Sequence, residues 1–192
     1  MSNHFFAYLS RMKLIKRWSL MRNTVPENIA EHSLQVALIA HALAIIGNLY
    51  FADDIDARDV ALLALYHDAG EVLIGDLPTP VKYFNPQIKE AYGQIEKVAK
   101  EKLMHMLPKD MAELYRPLLF AAEDKKYRLV KAADKIAAYL KCVEEGASGN
   151  GEFARAEPAL LAELDSFTDI PAAAYFMKHF APSFSKTLDE LG

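Results

Sequence analysis

The adjacent pair His67-Asp68 constrains this chain more than any other feature in it. The pair closes an apolar run, Asp59 to Tyr66, whose length and spacing read as helix, and Gly70 follows as the expected left-handed stop. An imidazole and a carboxylate therefore sit side by side at the buried end of a hydrophobic helix. Desolvating both is costly unless something satisfies them, and a metal ion would. Two ligands do not fill a coordination sphere, so the rest of the chain must bring further ligating groups to this helix end.

The sequence has the means to bury such a site. Of its 192 residues 52% are apolar, which suits one sizeable core and a single domain spanning 1–192. A charged fraction of 25% and a net charge of −4 argue against disorder and against a nucleic-acid polymer as partner, while a local pocket can still hold a small anion. One cysteine, Cys142, leaves no partner for an internal disulfide and no thiolate metal site. The first residues lack a signal-peptide layout, and the longest apolar run, Val36 to Ile46, contains His41 and is short for a membrane span. The expectation is a cytoplasmic protein with no membrane partner.

Read in order, the segments are helical. A short helix is predicted over residues 2–12, followed by a basic stretch, Lys13, Lys16, Arg17 and Arg22, that contains the single tryptophan, Trp18. Thr24-Val-Pro-Glu27 reads as a capping box with proline in the first turn, opening a helix to about Ile46 that Gly47-Asn48 ends. Asp53 to Asp56 starts the helix that ends at His67-Asp68. Gly70 to Asn85, with Gly75-Asp-Leu-Pro-Thr-Pro80 at its centre, reads as a covering loop. Asn85-Pro86 caps a long helix to about Met106 whose apolar stripe is Ile88, Tyr92, Ile95, Val98, Ala99, Leu103 and Met106. Pro108 breaks it, and a shorter helix from Asp110 meets a kink or restart at Pro117. Helices over Asp124–Glu145, Ala156–Leu164 and from about Asp169 complete the chain, with Gly146–Gly151 as a flexible turn. No segment alternates as a strand would. The fold class is all-α with roughly six to nine helices.

Four residues form the candidate ligand set: His32, His67, Asp68 and Asp134. His32 shares a helix face with Ile29, Val36, Ile39 and Leu43, and Asp134 borders the stripe Leu129, Ala133, Ile136 and Leu140, so both point at the core. Spacing alone does not separate a metal site from packing histidines and an Asp134 paired with Lys131 or Lys135; the His-Asp adjacency at a helix end favours metal. Two imidazoles and two carboxylates suit Mn²⁺, Co²⁺, Fe²⁺ or Zn²⁺ better than Ca²⁺ or Mg²⁺. His41 lies about 180° from His32 around the helix and cannot join; His105 and His179 read as surface or packing residues, and His4, near a terminus, is uninformative. Around the set, Glu71 can orient or deprotonate a water, Asp76 can donate a proton or hold a sugar hydroxyl, and Arg17 can bind a phosphate. Trp18 can stack on a base or wall the pocket, and Thr79 can add a hydroxyl. Together these outline a small phosphorylated substrate with a flat organic portion.

In this order on a helical scaffold, His32, His67-Asp68 and Asp134 resemble the H…HD…D signature of the HD-domain metal-dependent phosphohydrolases. Five longer blocks, Lys16-Arg-Trp18, Glu27-Asn-Ile-Ala-Glu-His-Ser33, Tyr66-His-Asp-Ala-Gly-Glu71, Gly75-Asp-Leu-Pro-Thr-Pro80 and Lys131-Ala-Ala-Asp-Lys135, resemble the bacterial 5′-deoxynucleotidases of the YfbR type over nearly the whole chain. The resemblance implies the HD helical fold, a homodimer, and hydrolysis of deoxyribonucleoside 5′-monophosphates to deoxyribonucleosides and inorganic phosphate. It further implies one divalent ion per subunit, held by His32, His67, Asp68 and Asp134, with cobalt, manganese or copper supporting activity. Arg17 matches the phosphate-orienting residue, Trp18 the one that disfavours a ribose 2′-hydroxyl, and Glu71 and Asp76 the acidic groups of the pocket. The substrate contacts it implies are Arg17, Trp18, His67, Asp76, Leu77, Pro78 and Thr79.

Two other readings fit the same residues. An HD-type hydrolase of deoxynucleoside triphosphates or guanosine tetraphosphate would need more cationic groups than Lys13 to Arg22 provides, though Lys131 and Lys135 can contribute. A non-catalytic helical module that senses a nucleotide or binds a partner would need neither Glu71 nor Asp76.

Overall fold

The structure, a computed structural model, describes residues 3–82 and 84–192. Among them are eleven α-helices: α1 (Phe5–Leu9), α2 (Ile29–Tyr50), α3 (Ala57–Tyr66), α4 (Glu71–Ile74), α5 (Thr79–Lys82), α6 (Pro86–Met104), α7 (Lys109–Leu119), α8 (Lys125–Ala147), α9 (Ala156–Leu164), α10 (Pro171–His179) and α11 (Leu188–Leu191). The fold is all-α. Seven of these run two turns or more; α1, α4, α5 and α11 are single turns, which accounts for the excess over the six to nine predicted. The predicted helix over 2–12 is α1 followed by a 3-10 turn at Met12–Leu14, and its residue 2 lies outside the described residues.

Polar caps set most of the helix starts. Asp56, Asn85 and Asp124 each accept a backbone N–H of the first turn of α3, α6 and α8, as the sequence predicts. Two overlapping capping boxes compete before α2, and the second one wins. Asn28 accepts from Ala30 and Glu31 while Glu31 reaches back to the Asn28 N–H, so α2 starts at Ile29 and not behind Thr24. Thr24 to Glu27 is thereby released for other contacts. Nor does Gly47-Asn48 end α2. The helix continues to Tyr50, Gly47 leaves room for the Asp53 carboxylate, which a Cβ would meet at 2.6 Å, and the Asn48 side chain pairs with both backbone groups of Ile55. Pro117 is accommodated inside α7, which runs on to Leu119.

The helices α2, α3, α8 and α10 pack around one core of Val36, Ile39, Ala40, Leu43, Val60, Ala64, Leu129, Ala133, Ile136 and Leu140. A second cluster, Phe5, Met12, Ile29, Ala69, Leu103 and Leu107, joins the N-terminal segment to α6. Of the predicted α6 stripe, Tyr92, Ala99 and Leu103 are buried, whereas Ile95 and Val98 are exposed because the helix lies against its neighbours along a narrower face. Among the described residues α2 alone is long and apolar enough to cross a membrane; 56% of that stretch is buried, and it forms the centre of the core.

Candidate metal centre and substrate pocket

Three helices deliver the candidate ligands to one point. His32 lies in the first turn of α2 and is fully buried, His67 and Asp68 follow the last turn of α3, and Asp134 is in the middle of α8. One ligand atom from each of His32, His67 and Asp68 lies within 4.8 Å of the others. Asp134 joins through its Oδ1, 3.0 Å from His32 Nε2. The His67 Nδ1 sits 2.7 Å from the Ala64 carbonyl, which can only accept, so Nδ1 carries the hydrogen. Its Nε2 is buried, has no hydrogen-bond partner, and lies 3.0 Å from Asp68 Oδ2. A lone pair facing a carboxylate oxygen is repulsive until a proton or a metal cation sits between them. The donor set therefore fits a divalent metal ion, with the Ala64 carbonyl fixing the ring as backbone acceptors do for metal-binding histidines.

Gly70 does not take the left-handed conformation predicted for it. Its φ is −61°, and it begins α4; a Cβ there would press at 3.3 Å on Lys100 of α6. The left-handed glycine is Gly75, φ 80°, which ends α4 and turns the chain into the covering loop. Short α4 thus carries Glu71 beneath the loop that carries Asp76. Glu71 is buried and its Oε2 has no hydrogen-bond partner. Burial, reinforced by the charges of Asp68 and Asp76, pushes its carboxyl up to about 9. Burial also raises Asp76, against the pull of Arg17. Asp68 behaves oppositely: burial opposes its ionisation, but the adjacent His67 holds it well below the usual carboxylate range. Leu77 and Pro78 are half-buried in the loop, and Thr79 is exposed at the start of α5.

The N-terminal segment closes the other side. Arg17 Nη1 lies 3.7 Å from Asp68 Oδ2, and its Nε donates to Glu27 Oε2 at 3.0 Å. Burial works against the guanidinium charge, but Asp134, Asp68, Glu27 and Asp76 together hold it protonated. A cavity of about 370 Å³ opens beside His67 and Asp68, lined by Lys82, Lys97, Lys100, Lys131, Phe120 and Tyr127 among others. That volume is within the range of small-ligand sites. A larger open depression over Ser148 to Glu152 contains none of the candidate ligands.

The model of the YfbR-like 5′-deoxynucleotidases matches residues 4–184. The chain belongs to this family. YfbR-like relatives resemble it along almost their full length: 5′-deoxynucleotidase YfbR of Shigella boydii and that of Escherichia coli are each 53% identical over 191 residues, covering 98% of this chain and 96% of the relative. Among solved structures, an HD-domain phosphohydrolase from Listeria innocua superposes with a TM-score of 0.85 at 25% identity, covering 96% of this chain and 90% of that one. The HD phosphohydrolase of cyanophage S-2L, bound to dA and one catalytic Zn²⁺, has a TM-score of 0.67 at 23% identity, covering 94% and 96%; at that identity the likeness concerns the fold. The YfbR-like helical fold and a His/His/Asp cluster able to bind a single divalent ion make the protein a metal-dependent hydrolase.

Within this YfbR-like site one contact residue, Glu27, is not legible from the sequence. Glu27 was read as part of a capping box, and only the competing box at Asn28 frees it. Lys131, which the sequence offers both as a partner for Asp134 and as a cation for phosphates, lines the cavity, with its ammonium 5.5 Å from the Tyr127 ring centre. Of the other histidines, His41 is exposed on the outer side of α2, His105 ends α6 bonded to the Glu101 carbonyl, and His179 packs on Tyr175.

Proposed function

We infer that the protein is a 5′-deoxynucleotidase, converting deoxyribonucleoside 5′-monophosphates to deoxyribonucleosides and inorganic phosphate. The observation that carries the metal-dependent chemistry is the buried, partnerless Nε2 of His67 facing Asp68. His32, His67, Asp68 and Asp134 would hold the ion, with Co²⁺ or Mn²⁺ first among the candidates and Cu²⁺, Fe²⁺ and Zn²⁺ behind them. When bound, such an ion acts as a Lewis acid towards a phosphoryl group.

The chain's own residues supply the rest. Arg17 offsets charge on the phosphoryl oxygens in the transition state. Glu71, whose buried Oε2 has no hydrogen-bond partner, orients the attacking water; its carboxyl is protonated near neutral pH on its own, and the charge of a divalent ion held at Asp68 would lower it so that it can take the water's proton. Asp76, whose carboxyl is raised, gives a proton to the 5′-oxygen as its bond to phosphorus breaks. Trp18 excludes a ribose 2′-hydroxyl by occupying its space, and Leu77, Pro78 and Thr79 line the approach from the covering loop. The chain acts as one domain in the cytoplasm, and its homodimer forms through the exposed apolar residues Leu34, Leu38, Ile45 and Leu49 on the outer face of α2.

The four lysines lining the cavity favour a second reading, hydrolysis of a nucleotide with more phosphates. One panel separates the two. EDTA-stripped protein is assayed on 5′-dNMPs, 5′-NMPs, a 3′-dNMP and dGTP, with Co²⁺, Mn²⁺ and Mg²⁺ restored separately. Phosphate release confined to 5′-dNMPs supports the first reading, turnover of dGTP alone transfers the protein to the second, and no turnover with any metal rejects both.

A further inference from the structure

We propose that Glu27 is the positioning residue that sets both phosphate orientation and sugar selection, by holding Arg17 and Trp18 on a single carboxylate oxygen. Glu27 Oε2 accepts the Arg17 Nε–H and the Trp18 Nε1–H, each at 3.0 Å. The backbone repeats the link, since the Arg17 N–H donates to the Glu27 carbonyl at 3.0 Å. The other oxygen, Oε1, lies 3.9 Å from His32 Nδ1, a buried nitrogen without a hydrogen-bond partner. One side chain therefore touches the guanidinium and the indole, and faces the back of a candidate metal ligand.

Two features show that the indole is held in place and does not merely rest there. Trp18 has φ 55°, a left-handed conformation that costs a bulky residue energy and persists only when its surroundings impose it. Its ring also meets Phe153 edge-on at 5.3 Å, so the bond to Glu27 and the Phe153 contact fix the plane from two sides. Charge-assisted bonds from a guanidinium and an indole to one carboxylate are the stronger kind, and losing them frees two side chains at once. The segment bearing Glu27 is itself tied down, because buried Glu145 accepts the N–H groups of Thr24 and Val25 at 2.8 and 3.1 Å.

The inference rests on the reading that Arg17 and Trp18 face the substrate, and its test has one arm that needs no turnover. Trp18 is the only tryptophan, so intrinsic fluorescence reports the indole alone. In Glu27→Ala the emission should shift to the red and acrylamide quenching should rise while the helical circular dichroism and melting transition stay cooperative. Glu27→Gln, which keeps an acceptor oxygen, should restore most of the wild-type emission. In the activity arm, Glu27→Ala should lower the dAMP-to-AMP ratio of kcat/KM by about tenfold, the loss expected of one charge-assisted hydrogen bond, and raise KM for both. A folded Glu27→Ala protein with unchanged emission and an unchanged ratio overturns the proposal. Altered emission in a protein whose wild type does not discriminate dAMP from AMP overturns the selectivity role and places the failure in the reading of Trp18, not in the contact.

Discussion

Two buried glutamates divide the molecule into a part that is finished and a part that waits for something else. Glu145, on α8, accepts the Thr24 and Val25 N–H groups, the Asn150 amide and the Lys141 ammonium. Burial alone would raise its carboxyl, but these donors overcome that and push it down to about 2. Glu71, equally hidden, leaves one oxygen without a partner and is pushed up to about 9. The open carboxylate is the one expected to serve chemistry, and the satisfied one to serve the fold. The same contrast separates the fully hydrogen-bonded Lys141 from His67 Nε2, which faces Asp68 without a hydrogen bond.

The contrast can be broken at either end. The largest effect is expected at Glu71: Glu71→Gln keeps the volume and should reduce kcat on the order of a hundredfold, a typical general-base contribution, with the melting temperature unchanged or raised. Near-normal turnover in that variant would make Glu71 as structural as Glu145. Glu145→Ala should do the reverse. It strands the buried Lys141 cation and two backbone N–H groups, so unfolding by urea should show a loss of about 3 kcal/mol; a variant as stable as wild type would dissolve the distinction.

Acid titration sharpens it further. Because folding lowers the Glu145 carboxyl from 4.5 to about 2, the unfolded chain binds more protons between those values. The Glu145 contribution is therefore complete above about pH 4.5 and fades as pH falls towards 2. Glu145→Gln should flatten stability against pH in that window, and an unaltered slope would count against the assignment. The smallest effect is expected from Trp18→Ala, which should raise relative turnover of ribonucleoside monophosphates by about tenfold, the scale of one steric group in a pocket. An unchanged ratio of AMP to dAMP rates would remove Trp18 from sugar selection.

Helices that begin at an aspartate or asparagine were legible because the cap is local: Asp56, Asn85 and Asp124 declare α3, α6 and α8 within four residues. The candidate ligand residues were legible as types, while spacing alone did not show their convergence, since His32 and Asp134 are 102 positions apart. Where two local signals overlapped, at Thr24 and Asn28, the choice lay with Glu145, which claims the Thr24 N–H from 121 positions away. Ile95 and Val98 follow the periodicity of a buried stripe yet face outwards, because periodicity gives a direction on the helix and not the width of the surface it meets.

Helix α8 also works as a phase gauge. Asp134 and Glu145 are eleven residues apart on it, close to three full turns and about 16 Å, so both emerge on nearly the same side. One lies at the candidate metal centre, bonded to His32, and the other holds the strap that carries Arg17 and Trp18. Deleting a single residue between them would swing Glu145 by about 100° and disconnect strap from centre, although no residue of either would have changed. Chain length along this stretch is therefore under as tight a constraint as residue identity, and the turn that follows shares it, because Asn150 bonds to Glu145 and to the Arg22 carbonyl.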